Sequence, residues 1–233
     1  GATLVYTHGF AESRYMALAH AALLAPLCRS VVLYDVRGHG ESTASSHSAG
    51  PREVDDLVEL IDRLQLTEPL VLFGRSMGAG IAIAAAPRLG ERAAGVIIEG
   101  VYRHWHEPIH AHIRRLGWPA EPVTSLARWW MNAAGCSMRD FDRAAHAARI
   151  ACPVLLLHGT ADPVAPIESA RSVRDAAPRG TLVEFEAGVH LNLLDVDRQR
   201  YLDAIRALLD TICPTGDSEP DPVPPREPKA NPP

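Results

Sequence analysis

The amino-acid sequence predicts an α/β fold: a mostly parallel sheet of about six strands with helices on both faces. Two observations carry that expectation. Six short runs, Ala2–Thr7, Val31–Tyr34, Leu70–Phe73, Gly95–Ile98, Pro153–Leu157 and Leu182–Phe185, have the length and β-branched content of buried strands. Helical patterns separate them, so strand and helix alternate as parallel sheets require. The exception is 101–150, where that rhythm breaks.

The first run leads straight into His8-Gly9-Phe10. In the helix that follows, Tyr15, Leu18, Ala19, Ala22 and Leu23 share one face, and Pro26 ends it. Val31–Tyr34 opens onto Asp35-Val36-Arg37-Gly38-His39-Gly40-Glu41-Ser42 and a Ser-rich loop through Gly50. Pro51 then suits the first position of a helix whose apolar stripe is Val54, Leu57, Val58, Ile61 and Leu64. Leu70–Phe73 stops at Gly74-Arg75-Ser76-Met77-Gly78, and a small-residue helix, Gly80–Ala86, begins.

All four tryptophans, Trp105, Trp118, Trp129 and Trp130, lie in 101–150 with five of the eleven histidines and two of the four methionines. That stretch reads as an insertion between two sheet strands. The alternation resumes with Pro153–Leu157, a helix over about 167–177, Leu182–Phe185 and a last helix through Tyr201, Ile205, Leu208 and Leu209. From Pro214 onward, eight of twenty residues are proline, which reads as an extended, disordered tail. The expected organisation is one domain over 1–213, carrying the insertion 101–150, followed by the tail 214–233.

With 233 residues, 47% of them hydrophobic, the chain can bury one sizeable core. A formal charge of −5, part of it in a tail with four acidic and two basic residues, argues against a nucleic-acid partner. No apolar run approaches bilayer-spanning length, and no leader-like segment opens the chain. Because the sequence starts at Gly1 without an initiator methionine, that absence decides little, and localisation stays open with the cytoplasm weakly favoured. Cys28, Cys136, Cys152 and Cys213 are scattered and read as buried free thiols.

Gly74–Gly78 reads as a nucleophile elbow, because a serine that attacks must be lifted on a tight strand-to-helix turn beside a base. No phosphate-cradling or dinucleotide loop competes for it, since Ala79-Gly80-Ile81 lacks the lysine and Gly78-Ala79-Gly80 lacks the third glycine. No cofactor is expected. His106 and His110 stand four apart, as zinc ligands on a helix do, but no firmly spaced third ligand completes a set, and no metal is expected.

Four patterns now follow strands in a fixed order: His8-Gly9-Phe10, Gly74–Gly78, Gly159-Thr160-Ala161-Asp162-Pro163 and Gly188-Val189-His190. With these, residues 2 to 212 resemble the α/β-hydrolase superfamily, whose triad runs serine, acid, histidine. Within it the chain is similar to small serine esterases, lysophospholipases and S33-type hydrolases, which share the loop at Asp35–Ser42. The resemblance implies Ser76 as nucleophile, His190 as base and acid, Asp162 as orienting acid, and the N–H groups of Phe10 and Met77 as oxyanion donors. Glu99, at the end of the fourth strand, is the rival acid, or it faces the acyl pocket or pairs with an arginine at its mouth.

The resemblance also implies that the insertion overhangs Ser76 as a lid, so that Trp105, Trp129 and Trp130 line an acyl or alcohol pocket; Trp129 and Trp130 should not both be buried in its own core. Arg75 stands where many relatives carry histidine and is expected to be structural, like Arg37 and His39. The superfamily's first two strands have no counterpart, which would leave Val31–Tyr34 as an open edge for a missing N-terminal hairpin or a partner chain. The implied activity is hydrolysis of a carboxylic ester or thioester through an acyl-enzyme. An acyltransferase, a peptidase or a lyase on the same residues, and a non-catalytic binding or scaffold protein, are the alternatives; a dehalogenase would need Asp at position 76.

Overall fold

The structure is a computed structural model that describes residues 1–43, 48, 50–67, 69–133 and 141–214. Its centre is a six-stranded, all-parallel sheet made of β1 (Thr3–Thr7), β2 (Ser30–Leu33), β3 (Leu70–Arg75), β4 (Ala93–Glu99), β5 (Val154–Gly159) and β6 (Gly180–Phe185). The spatial order is β2-β1-β3-β4-β5-β6. Every strand coincides with one of the six apolar runs to within a few residues.

Successive side chains of one strand feed two different cores, as the two-residue strand period demands. Val5, Leu70, Leu72, Val96, Ile98, Val154 and Leu156 pack under α2 (Pro51–Arg63), α3 (Met77–Leu89), α6 (Arg143–Ala147) and α7 (Ile167–Ala176). Leu4, Tyr6, Val71, Phe73, Ile97, Leu155 and Leu157 pack under α1 (Arg14–Leu24), α8 (Leu193–Val196) and α9 (Arg198–Ile212). The helices α4 (Glu107–Arg115) and α5 (Ala120–Ala133) follow β4 in the chain, in the stretch expected to be an insertion, whereas α6 of that stretch packs on the sheet.

Pro51 is the first residue of α2, and Glu53 accepts the Gly50 N–H at 2.7 Å in its first turn. Leu64 lies just past that helix and is exposed, so it adds nothing to the stripe.

The stripe expected for α1 is on the wrong face. Ala17, His20, Ala21 and Leu24 point inward, whereas Tyr15 and Leu18 are exposed. The reason is His20: both its ring nitrogens are satisfied inside, by Tyr6 and Tyr201 hydroxyls at 2.8 and 3.0 Å, so a polar residue marks the buried side.

Among the described residues β2 pairs with β1 alone and forms one edge of the sheet, as the expected open edge requires. Cys28, Cys152 and Cys213 are free and only half-buried, so the expectation of buried thiols is too strong. Burial still pushes the Cys28 and Cys152 thiols up to about 11. Cys136 lies outside the described residues, and so does the tail from 215 onward. Among the described residues, no helix is long and apolar enough to cross a membrane.

Candidate active site

The carboxyl ends of β1, β3, β4, β5 and β6 deliver five loops to one edge of the sheet, where ligands of parallel sheets collect. Ser76 stands at the turn from β3 into α3 with φ of 49° and ψ of −109°, a strained conformation for a residue with a side chain. Two close approaches make the turn possible. A Cβ on Gly74 would overlap the Gly78 carbonyl, and one on Gly78 would overlap the Thr7 carbonyl of β1. The Ser76 N–H is pinned by the Glu99 carbonyl at 2.8 Å. The elbow is therefore held by both neighbouring strands.

His190 comes from the loop after β6. Its Nε2 lies 2.9 Å from Ser76 Oγ and its Nδ1 2.7 Å from Asp162 Oδ2. Asp162 accepts in addition from the N–H groups of Val164 and Ala165 at 2.8 and 2.9 Å through Oδ1. Burial raises the Asp162 carboxyl, but the hydrogen bond and charge of His190 and the two N–H donors outweigh it, and the net shift is downward. The acid and histidine loops are tied to each other: Ala161 N–H donates to the Gly188 carbonyl at 2.9 Å and Ala187 N–H to Thr160 Oγ1 at 3.0 Å.

Glu99 sits at the end of β4. It is 1% exposed and accepts from Arg75 Nε at 3.2 Å and from Tyr201 Oη at 2.8 Å. Of the two carboxylates, Asp162 is the one bonded to His190, and Glu99 pairs with an arginine inside rather than lining an open cleft.

The loop after β1 crosses Ser76, since a Cβ on Gly9 would stand 3.5 Å from the Ser76 Cβ. Phe10 follows Gly9 in that loop with its side chain exposed, and Met77 opens the first turn of α3. Buried His8 supports the loop: its Nε2 accepts the Val36 N–H at 3.0 Å, so its Nδ1 carries the proton and donates to the Gly9 carbonyl at 2.8 Å. Burial lowers the His8 pKa, which keeps it in that neutral form. Arg37 pairs with Asp56 of α2 at 2.5 and 2.6 Å, and His39 Nδ1 bonds the Arg37 carbonyl at 3.1 Å, both scaffold contacts.

Two contacts escape a reading of the sequence. Gly100, at φ of 64° after β4, leaves room for the His190 ring, 3.1 Å from where its Cβ would be. Its only signal is a glycine closing a strand. Glu12 accepts the Gly9 N–H at 2.7 Å, for which the sequence holds no signal.

Within the insertion, Trp105 is half-buried near His106, while Trp129 and Trp130 are 66% and 65% exposed on α5. Neither packs into a core of the insertion. His110 Nε2 bonds Thr124 Oγ1 at 2.5 Å and so joins α4 to α5. Among the described residues, no group of three His, Cys, Asp or Glu side chains could hold a metal ion.

Comparison with known proteins follows this geometry. The serine aminopeptidase S33 profile matches residues 1–140, and that of a TAP-like protein matches 121–209. The chain is 25% identical over 204 residues to the lysophosphatidylserine lipase ABHD12 of Macaca fascicularis, covering 79% of this chain and 48% of that one. It therefore spans about half the length of those lipases. It is 29% identical over 219 residues to the (E)-2-((N-methylformamido)methylene)succinate hydrolase of Acinetobacter baylyi, covering 78% and 80%. Among solved structures, a Pyrococcus furiosus esterase superposes with a TM-score of 0.71 at 18% identity, covering 91% and 83%. A malate-bound esterase of Thermogutta terrifontis gives 0.66 at 24%, covering 91% and 90%. The chain belongs to the serine aminopeptidase S33 family of the α/β-hydrolase superfamily.

Proposed function

We propose that this chain is a serine hydrolase that cleaves carboxylic esters, or thioesters, through an acyl-enzyme on Ser76. One observation carries the reading: the unbroken line from Ser76 Oγ to His190 Nε2 to Asp162 Oδ2, at 2.9 and 2.7 Å. A carboxylate accepts only, so Asp162 holds the proton on Nδ1 and leaves the Nε2 lone pair facing the serine hydroxyl.

In the first half-reaction His190 takes the Ser76 proton as Oγ attacks the acyl carbon, and the carbonyl oxygen gathers negative charge. The N–H groups of Phe10 and Met77 stabilise that oxyanion, each worth on the order of 10²–10³ in rate. His190 then protonates the leaving alcohol or thiol. In the second half-reaction His190 deprotonates a water that attacks the acyl carbon, then returns the proton to Ser76 Oγ as the acyl–oxygen bond breaks and the acid leaves. The insertion covers this site as a lid, and Trp105, Trp129 and Trp130 supply apolar surface to the acyl or alcohol group.

The esterases and lipases among its relatives support an ester, and the peptidase in the family's description supports an amide as the second substrate type. A fluorophosphonate probe is expected to label the wild type and not Ser76→Ala. Esters of graded acyl length beside aminoacyl amides then separate the two substrate types. A folded wild type that resists the probe would replace this reading with a non-catalytic binding protein.

A further inference from the structure

Arg75, directly before Ser76, has a side chain 14% exposed and partners on three separate segments. Its Nε donates to Glu99 Oε2 at the end of β4 at 3.2 Å, Nη1 to Glu12 Oε1 in the loop after β1 at 3.5 Å, and Nη2 to the Leu191 carbonyl at 3.1 Å. Glu12 passes the contact on, because its other oxygen accepts the Gly9 N–H. One guanidinium thus reaches the neighbour of Phe10 and the neighbour of His190.

Both loops are strained where it holds them. Ala11 and Leu191 have φ of 60° and 61°, a region that non-glycine residues keep only when their surroundings enforce it. Ala11 adjoins Glu12, and Leu191 is itself a partner of Arg75.

The clamp is fixed from behind by a buried polar line. Tyr201 of α9 donates to Glu99 at 2.8 Å, so its oxygen is free to accept from His20 Nε2–H at 3.0 Å, and His20 Nδ1 accepts from Tyr6 at 2.8 Å. One proton arrangement satisfies every member. Burial, with the charge of Arg75 second, lowers His20 to about 3 and keeps it neutral, as that arrangement needs. Glu99 and Tyr201 are almost fully buried, so the line acts through Arg75 and the loops it holds.

We infer that Arg75 is a positioning residue for acyl transfer, an inference that rests on the serine-hydrolase reading above. Its planar fork meets three acceptors in different directions, which neither lysine nor neutral histidine can do. With the fork in place, the Phe10 N–H and the His190 imidazole keep their positions around Ser76. Without it both loops relax, and acylation slows while substrate affinity stays.

The test compares wild type, Arg75→Met, Arg75→Lys and Glu12→Gln by the second-order rate constant and final stoichiometry of fluorophosphonate labelling, and by kcat and KM for a p-nitrophenyl ester. Arg75→Met is expected to label at close to one probe per chain but roughly ten- to hundredfold more slowly, with kcat falling alike and KM within about threefold. Lysine should restore part of the rate, and Glu12→Gln should show a smaller loss in the same direction. Full speed per labelled site in Arg75→Met would overturn the inference. Where that variant fails to fold, an unchanged rate constant in Glu12→Gln would do so. A folded wild type that does not label at all overturns the hydrolase reading, and this inference with it.

Discussion

The elbow and the insertion are built on opposite plans. Around Ser76 the polar groups are hydrogen-bonded into place: the serine N–H by β4, His190 by Asp162, Asp162 by two further N–H groups of its own loop. In the insertion, α5 packs chiefly on α4 and exposes Leu116 of the preceding turn, Trp118, Val123, Leu126, Trp129 and Trp130. The contrast shows where precision is needed. On the function proposed above, bond-making atoms must stay within a few tenths of an ångström, whereas a surface offered to an acyl chain gains from adaptable apolar area.

The sharpest way to break this contrast is at the elbow. Ser76→Ala is expected to lower kcat by on the order of 10⁵–10⁶ with the melting temperature little changed, measured on an activated ester. Asp162→Asn should follow at about 10⁴, because the amide no longer fixes the imidazole proton on Nδ1. The same variant carries a pH signature. The Asp162 carboxyl is depressed below its ordinary 3.8 in the folded chain, so it stabilises the fold above that value and loses the effect as pH falls through the lower folded one. Wild type and Asp162→Asn should therefore converge in stability only in acid below about 3.8, in urea titrations across pH.

Gly78→Ala tests whether the turn is as crowded as it looks. Its methyl group would meet the Thr7 carbonyl, which is backbone and cannot swing away. A loss of roughly 1–3 kcal/mol is expected from the urea midpoint, with activity falling as the elbow shifts.

His20 sharpens the comparison from underneath. It stays neutral to about 3 when folded but takes up a proton near 6.5 when unfolded. The unfolded state binds the extra proton between those values, so stability falls as pH drops through that window, by ~1.4 kcal/mol per pH unit at most. His20→Gln, which can still give and accept a hydrogen bond, should flatten the acid limb of the stability curve. A limb as steep as the wild type's would mean that His20 is not the buried neutral group.

How much of this was legible depends on whether a residue's neighbours lie on its own strand or across the fold. The four inner strands were legible because burial on both faces leaves continuous apolar runs, and the half-buried outer strands β2 and β6 because short β-branched and apolar runs mark them too. The elbow was legible because its glycines answer a local steric demand. The inward face of α1 was misread, since His20 looks polar until Tyr6 and Tyr201 arrive from β1 and α9. Asp162 was preferred to Glu99 on the resemblance alone, because both carboxylates come from the ends of neighbouring strands and the partner that distinguishes them, His190, arrives on a distant loop. Arg75 was legible as structural, but its partners Glu12 and Leu191 are 63 and 116 residues away.

The smallest effects belong to the insertion, and there the contrast meets its most exacting test. Trp129→Ala and Trp130→Ala remove side chains that are two-thirds exposed, so each should change unfolding free energy by less than about 0.5 kcal/mol. The rate constant for labelling by a small fluorophosphonate should also stay put, because the reagent needs only the elbow. KM for long-chain esters should rise severalfold while short-chain esters are unaffected, since only a long acyl group reaches the indoles. Equal effects on short and long esters would place the tryptophans outside the acyl path. A large loss of stability would instead make α5 part of the rigid core, and the two plans would collapse into one.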